Sequence, residues 1–404
     1  MAQVLFVSYD GLMEPLGQSQ IHQYLVPLSR EHSITLLSFE KSADLGNAER
    51  FTRVRAEAAA AGIHWVPLRY HKRPAVLSTA FDLALGLIVG AWLVFRDGVR
   101  IVHARSYPPA VIALALKRTL GVRFVFDMRG FWADQRVDCG AWPRGRLFRV
   151  AKWFERKFLV GADIVLSETK AAVEVMKEFD YLKAAAPRWG VVSTCTNLAL
   201  FRPTGERRPG PFTVGCVGSL GVWYLFDRML ESFKILKELR PDARLLIVNQ
   251  GAHEFIRERL REGGVPDSCV ELKAADFHEV ASEYARMDVG LFYLKPCYSL
   301  AAVCPTKLGE FLASGVPCLT NDGVGDATEI LEGEGAGVVL RSFAPDEQRR
   351  ALSSLLELAG RPETSARCVE AARRHFDLAV GLETIASAYR SLSEAAPVEG
   401  AARR

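Results

Sequence analysis

The most informative segment of this chain is CPTKLGEFLASGVPCLTND, residues 304–322. Pro305 suits the first turn of a helix, because the N–H that proline lacks would have no partner there. Gly315 favours the end of that helix, and Pro317 follows soon after it. The apolar residues that come next are typical of a buried strand. The segment therefore predicts a helix over about 305–314 that leads directly into a strand.

The same alternation of helix and strand extends along the whole chain. Runs rich in Val, Ile, Leu and Phe recur with helix-length segments between them, which is typical of parallel sheets covered on both faces. The predicted strands are 4–8, 33–40, 63–68, 100–106, 123–129, 163–169 and 191–195 in a first series, then 212–219, 244–250, 270–276, 289–294, 316–321 and 337–340 in a second. The pattern predicts an α/β protein with two Rossmann-like, doubly wound domains that face each other across a cleft.

The length of 404 residues exceeds one ordinary hydrophobic core, so we expect two domains. Residues 197–211, NLALFRPTGERRPGP, contain three prolines and two glycines and predict a linker. We place the first domain at 1–196 and the second at 212–379. An amphipathic segment near the end of the chain predicts a closing helix.

Net charge, cysteine spacing and the N-terminal segment indicate which partners and which cellular location to expect. The net charge of +4 is small for 404 residues, so attraction to anions has to be local, and we expect no nucleic-acid partner. The eight cysteines form no C-x-x-C pair and no regular Cys/His spacing, which favours reduced, buried thiols and no metal site. The N-terminal MAQVLFVSYDG enters a strand without a basic region, so we expect no signal peptide and a cytoplasmic location.

Two apolar segments raise the question of a membrane. Residues 75–95, AVLSTAFDLALGLIVGAWLVF, are long enough to cross a bilayer but are interrupted by Asp82. We interpret them as a buried helix of the first domain; the alternative is a membrane-surface helix flanked by the basic residues 71–73. Residues 142–158, WPRGRLFRVAKWFERKF, alternate aromatic and basic side chains. They predict either a helix with packed aromatics and solvated charges or a peripheral contact with the inner face of a membrane.

The predicted helix at 305–314 begins with groups that bind anions. Thr306 and Lys307 could hold a diphosphate through backbone N–H groups, a hydroxyl and an ammonium. Glu310, one turn further on, could accept hydrogen bonds from ribose hydroxyls. By spacing alone, an ordinary surface helix with a lysine and a glutamate explains these residues equally well.

Two strand ends of the second series add candidate donor contacts. VGCVGSL, residues 214–220, ends in Gly218, which lets a ligand approach the backbone, and in Ser219, which adds a hydroxyl donor. Asp276 and Phe277 follow another strand, where an open α/β sheet presents backbone groups to a planar base. A plain turn is the alternative at each position.

Together these segments resemble the family-four glycosyltransferases of the GT-B class. The resemblance is carried by HARSYPPA (103–110), FDMRGFWADQRVD (126–138), VGSLG (217–221), DVGLFYL (288–294) and PTKLGEFLASGVPCLTND (305–322). It implies a GT-B fold and transfer of a sugar from a nucleoside diphosphate to an acceptor hydroxyl, with retention. It also implies that a closing helix at about 380–398 packs back on the first domain. No D-x-D motif stands at a strand end to bind a metal, so we expect the protein's own charges to stabilise the diphosphate, without a metal or cofactor.

The resemblance assigns roles to the candidate donor residues. Glu310 matches the second glutamate of the family's E-x7-E signature and is expected to contact ribose. Thr306 and Lys307 match the region that faces the donor diphosphate, and Gly218 and Ser219 match the strand end that approaches the phosphates. One position departs from the pattern.

Ala302 stands where the first glutamate of the signature is expected, and in the family that residue commonly contacts the donor sugar. This implies an altered grip on the sugar.

In the first half, Arg129 stands where many family members have a histidine. An arginine cannot act as a general base at neutral pH. We therefore expect it to stabilise a diphosphate leaving group or an anionic acceptor through bidentate hydrogen bonds. Asp127 is expected to orient Arg129, and Asp134 to meet an acceptor hydroxyl. A structural Asp–Arg ion pair is the alternative.

Other acceptor-side candidates come from two neighbouring strand ends. His103 and Arg105 end the preceding strand and are expected to point towards the cleft, although such a histidine is often structural. In the first loop, SYDGLMEPLGQSQ, Gly17 is expected to approach the donor phosphate through its backbone. Asp10 and Glu14 are further candidates for acceptor contacts.

The predicted function is therefore glycosyl transfer to a carbohydrate or lipid-linked acceptor in glycan or glycoconjugate biosynthesis. A nucleotide-sugar epimerase on the same scaffold and a catalytically silent GT-B binding protein are the alternatives. A dehydrogenase is disfavoured, because neither domain begins with a G-x-G-x-x-G turn.

Overall fold

The computed structural model describes residues 1–184, 186–203, 210–276 and 279–394. These residues form two separate parallel sheets, each flanked by helices, as the sequence predicts. The predicted α/β fold with two facing Rossmann-like halves is thus confirmed.

The first sheet has seven strands in the order β3-β2-β1-β4-β5-β6-β7. The strands are β1 (Gln3–Ser8), β2 (Ser33–Glu40), β3 (His64–Arg69), β4 (Ile101–Arg105), β5 (Arg123–Met128), β6 (Ile164–Ser167) and β7 (Arg188–Val191). The chain order reverses between β1 and β4, where Ser8 lies beside Arg105. Ligands of open α/β sheets bind outside such a switch point. The strand predicted at 191–195 lies earlier, as β7.

Helices cover both faces of this sheet. They are α1 (Pro15–Gly17), α2 (Gln23–Leu28), α3 (Ser42–Leu45), α4 (Ala48–Ala60), α5 (Ala75–Asp97), α6 (Tyr107–Leu120), α7 (Trp132–Asp138), α8 (Arg146–Gly161) and α9 (Lys170–Lys177). Residues of α5, α6, α8 and α9 share one hydrophobic core, and residues of α2 and α4 share the core on the other face.

The second sheet has six strands in the order β10-β9-β8-β11-β12-β13. They are β8 (Thr213–Val217), β9 (Arg244–Val248), β10 (Val270–Lys273), β11 (Val289–Leu291), β12 (Cys318–Asn321) and β13 (Gly337–Leu340). The remaining helices are α10 (Phe226–Leu239), α11 (His253–Glu262), α12 (Val280–Tyr284), α13 (Thr306–Ala313), α14 (Ala327–Gly333), α15 (Pro345–Ala359), α16 (Thr364–Phe376) and α17 (Leu378–Glu394). The helix predicted at 305–314 is confirmed as α13.

The closing helix α17 packs on the first sheet rather than on the second. Its Ile385, Tyr389 and Leu392 belong to the core that α2 and α4 form. The chain reaches it through a second crossing, where Thr196 and Asp377 form a parallel bridge. Residues 395–398 of the predicted closing helix and 204–209 of the predicted linker lie outside the described residues. The domain boundaries given above stay a prediction.

The interpretation of residues 75–95 as a buried helix is wrong for one side of α5. Phe81, Ile88, Trp92 and Phe95 are each more than half exposed. By length and composition the helix could cross a membrane. Only 28% of its most apolar 18-residue stretch is buried inside the protein. The opposite side does pack inward, with Leu93 fully buried.

Candidate active site

A large cavity of about 1320 Å³ opens at the carboxyl edge of the second sheet. Its walls include the strand-end residues Gly218 and Ser219, the loop residue Asp276 and the helix residue Glu310. Pro15, from the first βα loop of the other sheet, also lines it. The cavity therefore lies between the two halves, where the sequence places the donor.

Gly218 ends β8 with its backbone open towards this cavity. Its φ of +91° is in the left-handed region, which glycine adopts without strain. A side chain added there would find the Lys307 ammonium as its nearest neighbour, with 3.6 Å between Cβ and Nζ. The Asn249 amide donates to the Gly218 carbonyl at 2.9 Å and fixes this turn. The Lys307 ammonium thus lies beside the Gly218 turn, just behind the wall of the cavity.

Lys307 is a buried cation in the first turn of α13. Its ammonium lies 3.6 Å from the centroid of the Tyr224 ring, a cation–π contact. No carboxylate of the described residues forms an ion pair with it. Burial lowers the pKa of the ammonium to about 8. An anionic ligand in the cavity would supply the missing negative charge and stabilise the charged form.

Glu310 lies one turn further along α13 and faces both the large cavity and a second one. The Tyr284 hydroxyl donates a hydrogen bond of 2.7 Å to Oε2 of Glu310 and holds the carboxylate in place. Burial raises the pKa of Glu310, although the Tyr284 hydrogen bond and the Lys307 charge oppose this shift. A fixed carboxylate of this kind can accept hydrogen bonds from vicinal hydroxyls.

The second cavity, of about 730 Å³, lies between the loop after β1 and the start of α13. Pro15, Gln18 and Gln20 line it from the first half, and Thr306 and Glu310 line it from the second. Glu310 thus lines two cavities that adjoin each other.

Two family models match the chain. A model of glycosyl transferases group 1 matches residues 200–375, and a model of the glycosyl transferase 4-like domain matches residues 20–192. Together they span both sheets. The chain is a GT-B glycosyltransferase of family four. The predicted resemblance is therefore confirmed, and so is the prediction that the protein is an enzyme.

Solved structures share the fold of this glycosyltransferase over almost its whole length. Sucrose-phosphate synthase from Thermosynechococcus elongatus is 14% identical, with a TM-score of 0.71 and coverage of 98% of this chain and 100% of that one. WaaG, a glycosyltransferase involved in lipopolysaccharide biosynthesis, is 16% identical, with a TM-score of 0.63 and coverage of 98% and 100%. HepE from Anabaena, solved with UDP and glucose, is 13% identical, with a TM-score of 0.66 and coverage of 98% and 100%. No curated protein matches the chain significantly.

In the glycosyltransferase, Arg129 is part of a buried charge cluster in the first half. Its guanidinium lies 2.5 Å from the Glu168 carboxylate and 3.6 Å from that of Asp127, and it donates to the Gln20 side chain at 3.2 Å. Arg105 adds a second cation, 3.3 Å from Asp127. These contacts occupy much of the donor capacity that we expected Arg129 to offer a diphosphate.

Two carboxylates of the cluster contact Arg129: Asp127, which belongs to the motif at 126–138, and Glu168, which lies outside it. Burial raises the pKa of Asp127, but the Arg129 charge, the His103 hydrogen bond and the Arg105 charge hold it below its usual value. Asp127 is therefore a carboxylate within ion-pair distance of Arg129, which fits the structural ion pair as well as the orienting role. Glu168 was missed because it follows a different strand; the parallel pairing of Met128 with Ser167 brings it beside Arg129.

His103, a predicted acceptor contact, packs inside the first half of the molecule. His103 is fully buried, stacks on Phe6 at 4.4 Å and shares a 2.8 Å hydrogen bond with the Tyr389 hydroxyl of α17. Its predicted orientation towards the cleft is therefore wrong. Burial also lowers its pKa, which favours the neutral ring.

Asp134 is not found at either cavity. It lies buried on α7, where the Lys152 ammonium donates to it at 2.8 Å. Lys152 also binds Glu155, so both carboxylates are held by one cation. The predicted contact with an acceptor hydroxyl is not supported by this placement.

In the loop after β1, Gly17 is needed for a different reason from the one predicted. A Cβ at Gly17 would lie 2.0 Å from the Gly11 carbonyl oxygen and 2.8 Å from Leu12 Cα. The close approach is therefore to the loop's own backbone. Glu14 forms an ion pair with Lys41, and burial raises the pKa of Asp10, which is only partly exposed.

The remaining positions concern donor contacts. Asp276 lines the large cavity, whereas Phe277 lies outside the described residues. Ala302 is buried, and its carbonyl oxygen lies 3.4 Å from where a Cβ on Gly130 would be. The backbone around Ala302 thus packs against the first half, in the position where the family places a glutamate.

Proposed function

We propose that this glycosyltransferase moves a sugar from a nucleoside diphosphate to an acceptor hydroxyl, with retention, without a metal and in glycan or glycoconjugate biosynthesis. The observation that carries the proposal is the Lys307 ammonium. It is buried beside the open backbone of Gly218 and has no carboxylate partner among the described residues.

The donor is proposed to fill the large cavity. Its diphosphate would lie between Lys307 and the backbone of Gly218 and Ser219, and its ribose hydroxyls would donate to Glu310. The base would lie against the backbone near Asp276. The HepE structures with UDP and with UDP-glucose support this choice of donor class, because they share the fold.

The acceptor is proposed to enter the second cavity, on the other side of Glu310. In the transfer step the bond between the sugar carbon and the diphosphate oxygen breaks, and a bond to the acceptor oxygen forms on the same face. The acceptor proton passes to the departing phosphate, which suits a site where His103 is not available as a base. Lys307 stabilises the negative charge that develops on the diphosphate.

The proposal also includes location. We place the enzyme in the cytoplasm, where a membrane-borne acceptor would be met at the inner face of the membrane through residues 142–158. Exposed Leu147, Val150 and Trp153 on α8 support such a contact. Activity that persists in the presence of a chelator would support the proposal of a metal-free reaction, and its loss would contradict it.

Nucleoside diphosphates are expected to raise the melting temperature of the protein, because a ligand that binds the folded state stabilises it by mass action. The measurement is a thermal shift with UDP, GDP, ADP and dTDP. Glu310→Gln should reduce the shift, since a neutral amide accepts hydrogen bonds from ribose less strongly. Glu357→Gln, an exposed position on α15, is the matched control. Absence of a shift with every nucleotide would contradict the proposed donor class.

Donor affinity is expected to fall as the pH rises above about 8, the value to which burial lowers the Lys307 pKa. The charged ammonium binds the diphosphate, and it dominates below this pKa and becomes the minor form above it. Each further pH unit should therefore cost about tenfold in affinity, because one proton must be taken up on binding. The KM for the donor, measured between pH 7 and 9, tests this expectation. A Lys307→Ala variant should show no such slope.

A further inference from the structure

The outer side of α5 is an apolar surface of unusual length. Leu77, Phe81, Ile88, Trp92 and Phe95 are each more than half exposed. Their spacing of three, four or seven residues places them along one side of the helix. At 23 residues, α5 is about 35 Å long. This stripe is much larger than the scattered exposed apolar residues of an ordinary surface.

The other side of α5 fixes the helix to the protein. Cβ atoms added at Gly86 and Gly90 would lie 2.7 Å from Ile112 and 3.2 Å from Leu116, so α5 and α6 pack closely. Asp82 is fully buried and accepts hydrogen bonds from the Tyr9 hydroxyl at 3.1 Å and the backbone of His71 at 3.0 Å. The helix cannot leave the sheet to cross a bilayer without breaking these contacts.

Helix α8 lies in the same layer. A Cβ at Gly161, the last residue of α8, would be 2.6 Å from Leu114, so α6 packs between α5 and α8. Helices side by side on one face of a sheet present their outer sides in the same direction. On α8 that side carries the exposed Val150 and Trp153. We call the outer sides of α5 and α8 the docking face.

Cations surround the apolar part of the docking face. Lys72, Arg73 and Arg100 are exposed at the ends of α5, and the Arg96 guanidinium lies 4.2 Å from the Trp92 ring. On α8, Arg146, Arg149 and Arg156 are exposed.

Of these cations, only Arg96 is offset by a carboxylate of the two helices in the part of the chain that the structure describes. The acidic residues of the two helices are Asp82, Asp97 and Glu155. Asp82 and Glu155 are fully buried, and Asp97 binds Arg96. A second copy of this chain on the same face would bring like charges together, whereas anionic lipid headgroups complement them.

We propose that the docking face formed by α5 and α8 binds the surface of an anionic membrane, with α5 lying flat in the headgroup region. Apolar side chains on one side and cations at the rim are the features that hold a helix at such an interface. The inference deepens the proposed function and rests on it, since it names the surface on which the acceptor would be met. It adds α5 to the contact proposed for residues 142–158.

Flotation of the full chain with vesicles tests the proposal. Binding is expected with phosphatidylcholine vesicles that contain phosphatidylglycerol, weaker binding with phosphatidylcholine alone, and a decrease as ionic strength rises. Ile88→Glu and Trp92→Glu should each lower the vesicle partition coefficient by about tenfold or more, the loss expected when a large apolar side chain leaves a buried contact. Val380→Glu is the matched control, because Val380 is exposed on α17, which packs on the opposite face of the sheet.

The thermal shift with nucleoside diphosphates, measured on the same variants, keeps the two proposals separate. A retained nucleotide shift without vesicle binding by the wild-type chain would overturn the docking proposal alone. Vesicle binding without a nucleotide shift would contradict the proposed donor class alone. Equal vesicle binding by Ile88→Glu and wild type would also overturn the docking proposal. So would a wild-type dimer that Ile88→Glu converts to a monomer, since a second copy would then cover the face.

Discussion

Replacement of Lys307 by alanine is expected to lower kcat/KM for the donor by about 10²- to 10³-fold, the loss typical when one charge-stabilising group is removed from an active site. The reason is that Lys307 is a buried cation beside Gly218 without a carboxylate partner among the described residues. Steady-state kinetics with the donor identified by thermal shift provide the measurement.

The matched control for this variant is Lys234→Ala. Lys234 is exposed on α10, in the same half of the molecule, whereas Lys307 is buried. Its loss should leave kcat/KM unchanged. If Lys307→Ala retained wild-type kcat/KM while Lys234→Ala behaved the same way, the diphosphate would have to bind elsewhere.

Gly17→Ala is expected to lower the melting temperature and to abolish transfer. The added Cβ would lie 2.0 Å from the Gly11 carbonyl oxygen and 2.8 Å from Leu12 Cα. Because both contacted atoms belong to the backbone, no change of side-chain rotamer can relieve the clash. The φ of Gly17 is −60°, so the requirement is for space and not for an unusual conformation. Overpacking of this kind typically costs about 1–3 kcal/mol of stability. Calorimetry and a transfer assay provide the two measurements.

Nucleoside diphosphate binding by Gly17→Ala should persist, because Gly218, Lys307 and Glu310 belong to the other half. Gly333→Ala is the control: a Cβ there meets no atom within 4 Å. Its melting temperature should stay within a degree or so of wild type, as expected for a surface substitution. A Gly17→Ala protein as stable and active as Gly333→Ala would show that the loop relaxes and that our account of Gly17 is wrong.

Local signals explain how much of the fold could be predicted. Pro305 and Gly315 act on their own backbone, so the bounds of α13 could be predicted to within a residue or so. The outer side of α5 could not, because a helix that is apolar on most sides is ordinarily a buried one. Only the assembled layer shows that α6 covers one side of α5 and leaves the other exposed.

The candidate site also contains residues that could be predicted from local motifs and contacts that could not. Gly218 and Glu310 lie in short motifs of the second half and line one cavity, and Lys307 of the same motif lies beside Gly218. Arg129 was found from its motif, but its partner Glu168 lies on another strand, and sequence spacing carries no information about that pairing. A search for charged residues at the carboxyl ends of neighbouring predicted strands would have found it. Gly17 was assigned to a ligand because sequence does not show that Gly11 occupies the adjacent space.

The second crossing of the chain, at the bridge between Thr196 and Asp377, has a consequence for biosynthesis. The first sheet is complete when about half of the chain has left the ribosome, yet Ile385, Tyr389 and Leu392 of its core are made last. Until then the side of the sheet that α17 covers lacks part of its apolar packing. The first half thus cannot reach its final stability during synthesis, and a shortened chain without α17 should remain prone to aggregation.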